Sequence, residues 1–135
     1  MTDKSVDIVD KTELSTCTIS LRDDGVMQVE MKALDRELEE KDIRELTSTI
    51  GIIGKGKAYP VLILVLSYNT MQKEASEYAA TEEAAKFSTA TAVVVSSFAI
   101  RIGTNFFIKI FKPVRPTKMF NSEERAVEWL KTLRE

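Results

Sequence analysis

Tyr59-Pro-Val-Leu-Ile-Leu-Val-Leu66 dictates the architecture of this chain. After Pro60 the run is apolar with no alternation, which is how a central strand covered on both faces reads. Such a strand needs helices above and below it, and the flanking sequence supplies them. Upstream, Ile43, Leu46, Ile50 and Ile53 recur at three- and four-residue steps and predict a helix over residues 39–53. Glu39 and Glu40 suit the positive end of its dipole, and Gly54 and Gly56 supply its stop. Downstream, an alanine-rich helix over residues 74–87 is expected to approach the sheet closely. A second buried strand follows at residues 91–95.

Further out, Cys17, Ile19 and Leu21 alternate with Thr16, Thr18, Ser20 and Arg22, and Asp24-Gly25 turns the chain. Met27, Val29 and Met31 face inward on the return, so this is an antiparallel hairpin with one wet face. Residues 1–14 show no period and are expected to form a flexible tail ahead of a single domain over residues 15–135. Beyond residue 95 come a helix over residues 98–112, a short strand at residues 117–120 and a last helix. Asn121 is the expected cap of that helix, and Ala126, Trp129, Leu130 and Leu133 are its packed face. The order is β-β-α-β-α-β-α-β-α, an α/β fold with a mixed sheet, parallel after the opening hairpin.

At 135 residues the chain has room for one core. Its formal charge of −2 is unevenly spread. Residues 1–90 carry 11 Lys/Arg against 17 Asp/Glu, and residues 91–135 carry 8 against 4. Halves of opposite sign are expected to face each other or partners of complementary charge. Histidine is absent and Cys17 is the single cysteine, so no internal disulfide forms and a zinc site of the usual kind is excluded. No metal and no cofactor are expected. The first residues are polar and acidic, unlike a signal peptide, and no run reaches the ~20 apolar residues of a membrane span. A cytoplasmic protein is the expectation.

Several stretches, with this element order, resemble the STAS-like family related to the anti-sigma-factor antagonist SpoIIAA, in an uncharacterised bacterial branch. They are Tyr59-Pro-Val-Leu-Ile-Leu64, Glu74-Ala-Ser-Glu-Tyr-Ala-Ala-Thr-Glu-Glu-Ala-Ala-Lys86, Ile102-Gly-Thr-Asn-Phe-Phe107 and Arg115-Pro-Thr-Lys-Met-Phe-Asn-Ser-Glu-Glu-Arg-Ala-Val-Glu-Trp-Leu130. The resemblance implies a STAS-like fold and a regulatory, non-enzymatic role through protein contact. It also implies a phosphorylatable serine in an Asp-Ser-Ser-Gly-like turn, which falls here near Lys73-Glu-Ala-Ser76. The Asp and Gly of that turn are missing, and Ser76 and Thr70 are the nearby hydroxyls.

The helix over residues 98–112 carries the expected contact surface. At 100° per residue, Phe106 and Phe107 turn toward the sheet, whereas Phe98, Ile108 and Phe111 fall in or beside a basic arc with Arg101, Lys109 and Lys112. Leaving three such apolar side chains in water forgoes about 1.5–3 kcal/mol each, so they are read as an interface, most simply of a homodimer. The alternative is a carrier or sensor of a lipid or other apolar ligand, with Phe106 and Phe107 lining its pocket. Nucleic acid is not an expected partner of an acidic chain with few clustered cations. Gly51-Ile-Ile-Gly-Lys-Gly-Lys57 is not a phosphate loop, because its glycines close a helix and precede a strand. Catalysis finds no histidine base, an inward Cys17, and one weak acid–base group in Glu74, Glu77 and Tyr78. No catalytic residue is expected.

Overall fold

The computed structural model describes residues 6–65, 69–95, 97 and 112–133. Six strands form one sheet in the order β1-β2-β3-β4-β5-β6, sequential along the chain. They are β1 (Ile8–Glu13), β2 (Cys17–Arg22), β3 (Met27–Met31), β4 (Tyr59–Val65), β5 (Ser88–Val95) and β6 (Thr117–Phe120). β1, β2 and β3 pair antiparallel, and the β3–β4, β4–β5 and β5–β6 pairs are parallel. The helices are α1 (Glu40–Ile53), α2 (Lys73–Ala79), α3 (Glu82–Ala85) and α4 (Glu123–Thr132). This is the expected α/β mixed sheet with an opening hairpin, consistent with STAS-like topology.

β4 is covered on both faces, as its unbroken apolar run requires. Val61 packs with Cys17, Ile19, Met27, Val29 and the α1 residues Ile50 and Ile53. Leu62 and Leu64 point the other way, to Val26, Ala90 and Ala92 and to Ala126 and Leu130 of α4. Successive side chains of one strand thus fill two separate cores.

Six local expectations are corrected. The supposed tail contains β1, whose outer edge and faces are largely exposed; a strand wet on both sides carries no hydrophobic period to read. The hairpin's polar face is not wet throughout, because Ser20 and Arg22 are buried and Arg22 reaches Glu123 at the start of α4. The helix expected over residues 74–87 is broken, because the Thr81 hydroxyl donates to the Tyr78 carbonyl (2.7 Å) and accepts from the Ala84 amide (3.2 Å), capping a new helix. Its alanines meet α1 and not the sheet, since Ala75 clusters with Ile43 and Tyr78. The last helix is capped by Ser122, whose hydroxyl accepts from the Arg125 amide, and Leu133 is exposed. The helix expected over residues 98–112 lies outside the described residues except for Lys112.

The start of α1 is fixed by charge. Asp42 accepts the Glu39 amide (2.7 Å) and takes a bidentate pair from the Arg36 guanidinium (2.7 and 3.0 Å). The Arg36 hydrogen bonds, aided by the Glu39 amide, hold the Asp42 carboxyl below the usual aspartate value. A depressed folded pKa stabilises the fold above the unfolded value of about 3.9 and loses that stabilisation as pH falls through the folded value. Asp42→Asn is therefore expected to cost about 1–2 kcal/mol at neutral pH and to flatten the acid limb of the stability curve. Urea melts at stepped pH check both, and an acid limb as steep as wild type would refute the assignment.

Candidate functional site

Because β1, β3, β4, β5 and β6 all run the same way, their starts share one end of the sheet. α1 also finishes there. Its last turn leaves Ile52 76% exposed, the most exposed large apolar side chain among the described residues. Ile50 and Ile53 on either side of it are buried, so Ile52 sits off the core stripe, on the outer side of the helix.

A groove lies on each side of this turn. One, of about 430 Å³, runs along α1 to α3 and the start of β5, past Arg44, Gly51, Tyr78, Lys86 and Phe87. Its floor depends on a glycine: a Cβ on Gly51 would run into the Phe87 ring, so glycine lets that ring lie against the helix in this position. Both rims are cations over aromatic faces, the Arg44 guanidinium 4.2 Å above Tyr78 and the Lys86 ammonium 5.3 Å from the Phe87 centroid. The second groove, about 290 Å³, lies between the α1–β4 turn and β1, with Val9, Lys55, Lys57 and Tyr59 on its walls. Val9 is 64% exposed and Ile8 46%.

Charges of both signs gather at this end, where Asp7, Asp10 and Asp23 are exposed without an ion pair among the described residues and Asp10 shares the second groove with Lys55 and Lys57. Lys55 and Lys57 follow α1, Lys86 precedes β5, and Lys112 and Arg115 precede β6. Arg115 anchors the last loop by donating to the Ser88 carbonyl (3.0 Å) and pairing with Glu82 (3.5 Å), and Lys86 pairs with Glu83. Lys55, Lys57 and Lys112 are exposed and form no ion pair among the described residues. The opposite end, where α1 and α2 begin, is acidic. There Asp35, Glu37 and Glu74 are exposed and likewise form no ion pair among the described residues.

Of the residues singled out from sequence, Phe98, Arg101, Ile108, Lys109 and Phe111 of the expected interface lie outside the described residues. So do Phe106 and Phe107 of the expected apolar pocket. Lys112 is exposed at the strand-start end. Thr70 is exposed, and its carbonyl accepts the Leu38 amide. Ser76 is buried at 8% exposure, its hydroxyl donating to the Met71 sulfur (3.6 Å). Glu74, Glu77 and Tyr78 do not converge: the two carboxylates are exposed, Glu77 beside Lys73, while Tyr78 is buried beneath Arg44. Cys17 is fully buried, and burial pushes its thiol pKa up. Among the described residues no group of three or more acidic or cysteine side chains is placed to hold a metal, and no helix is long and apolar enough to cross a membrane.

Ile52 and the grooves beside it were missed from sequence, although the signal was there. The wheel argument applied to residues 98–112 also places Ile52 off the apolar stripe of α1.

The chain belongs to the family described as a domain of unknown function, DUF7793, whose model matches residues 19–134. No curated protein matches it. Among solved structures it is similar to a protein of unknown function from Arthrobacter sp. FB24, at 20% identity over 84% of this chain and 97% of that one, with a TM-score of 0.30.

Proposed function

We propose that this chain is a non-enzymatic regulatory or protein-interaction domain that works by self-association, with the last turn of α1 at the centre of its contact surface. The observation that carries this reading is Ile52, three-quarters exposed on the first groove, with the exposed Val9 of the edge strand on the second groove past the end of the same helix. An isoleucine left in water forgoes about 1.5–3 kcal/mol, and grouped exposed apolar side chains mark contact surfaces. An apolar centre with a charged rim is the usual anatomy of an interface, and Arg44, Lys55, Lys57 and Lys86 form that rim here. The likeness to STAS-like antagonists, which act through protein contact, supports the same reading. So does the fate of the chemically able side chains: Cys17 and Ser76 are buried in the fold.

Sedimentation velocity over a concentration series tests this for wild type and Ile52→Asp. Wild type is expected to sediment above monomer mass, and the variant, with unchanged circular dichroism, at monomer mass. A wild type that stays monomeric at every concentration would remove self-association. An associating wild type with an unaffected variant would remove this surface.

A further inference from the structure

We propose that the groove between α1 and α3 binds a small aromatic anion, its ring on Phe87 and its carboxylate or phosphate met by Arg44 and Thr47. This site stands whether or not copies associate. Two hydroxyl-bearing side chains on its walls are buried without a partner. Thr47 is 6% exposed and Tyr78 8%, both line the groove, and neither hydroxyl forms a hydrogen bond among the described residues. A buried hydroxyl left unpaired costs stability, so the large majority of such groups in folded proteins have a partner. Thr49 of the same helix meets this need by donating to the Glu45 carbonyl one turn back (2.8 Å), and Thr47 makes no such bond.

Spare donors surround the same space. Arg44 pairs with Glu40 through Nε and Nη2 (2.7 and 2.6 Å), and its Nη1 has no hydrogen bond among the described residues. Lys86 gives one N–H to Glu83 (2.9 Å), and an ammonium carries two more. Ser48 adds an exposed hydroxyl. Glu83 is the acid on these walls, and Lys86 already holds its carboxylate. What is left over therefore suits the oxygens of an anion. The Phe87 ring, lying against Gly51, is only half-buried and lines the groove, which gives a flat ligand a ring to stack on. Water would serve the hydroxyls but not this open ring. At about 430 Å³ the space is of the size that holds small molecules.

The test titrates the full, ¹⁵N-labelled chain with indole-3-acetate and with adenosine 5′-monophosphate, and with indole and adenosine as their neutral counterparts. Saturable shifts of the Thr47, Gly51 and Phe87 amides are expected with one anion or both, and the responding anion distinguishes carboxylate from phosphate. The neutral counterparts are expected to bind about tenfold more weakly, because a hydrogen bond to a charged group is the stronger one. Arg44→Gln is expected to abolish that preference for the anion. Thr47→Val is expected to weaken binding while keeping or raising the melting temperature, since it replaces an unpaired hydroxyl by a methyl of the same shape. No saturable shift with either anion, or neutral counterparts that bind as well, overturns the proposal. So does a Thr47→Val protein that binds like wild type, or one that melts several degrees lower, which would show the hydroxyl bonded within the fold. None of these outcomes bears on Ile52 or on self-association, which sedimentation of Ile52→Asp reads separately.

Discussion

Leu62→Ala is expected to lower folding stability by about 3–4 kcal/mol, seen as a fall in the urea midpoint with little change in slope. Leu62 is fully buried in β4, with β3 on one side and β5 on the other. The walls of the space it would vacate include Ala90, Ala92 and Ala126. Alanines have no rotamers with which to fill a void, and two of them stand on a strand held on both sides by ladder hydrogen bonds. The cavity therefore stays open, which places the cost in the upper part of the range for leucine truncation. Val94→Ala, in the same core but only half-buried, serves as the comparison and is expected to cost about half as much. A loss below about 1.5 kcal/mol for Leu62→Ala would mean that α4 settles onto the sheet, and that this second core is loosely held.

That second core shows how far the sequence could be read. The run from Val61 announces a strand covered twice, but not which helix covers which face. Pairing decides that: β4 lies beside β3, so its Val61 face continues the hairpin core beneath α1, while α4 closes the Leu62 face. β1 was illegible for the opposite reason. Its sequence Ile-Val-Asp-Lys-Thr-Glu is wet on both faces and is held through its ladder to β2, and main-chain pairing leaves no mark on hydrophobic pattern. The break between α2 and α3 was legible in kind, since Thr81 ahead of Glu82 and Glu83 is a helix-start signal. It was masked by alanines on both sides, which favour an unbroken helix. The candidate site splits the same way. Ile52 stands out on a helical wheel, whereas the gathering of Lys55, Lys57, Lys86, Lys112 and Arg115 at one end depends on parallel strand order. Residues separated along the chain meet there only because β4, β5 and β6 begin side by side.

Arg22→Ala is expected to cost about 3 kcal/mol, although alternation along β2 places Arg22 on the polar face. The side chain is only 7% exposed. Its guanidinium donates from Nε and Nη2 to the two Asp24 oxygens (3.2 and 2.9 Å) and from Nη1 to Gln28 (3.3 Å), and Glu123 lies at 3.6 Å. Truncating one member of a buried pair leaves the other charge without its main counterion, typically a loss of 3–5 kcal/mol. The lower end applies here because Asp24 keeps Lys131 at 3.6 Å and the Val26 amide at 3.2 Å. These bonds tie the β2–β3 turn to both ends of α4, so the loss should appear as faster amide exchange in α4 as well as a lower urea midpoint. Arg22→Met/Asp24→Asn removes both charges and is expected to recover more than half of the loss, because neither partner is then left charged and buried. A polar side chain on an apparently wet face can thus be a buried one held by protein partners, since alternation reports which residues need partners and not whether water is the partner. If Arg22→Ala costs under 1 kcal/mol, water serves the turn as well as arginine does, and α4 is held by its apolar face alone.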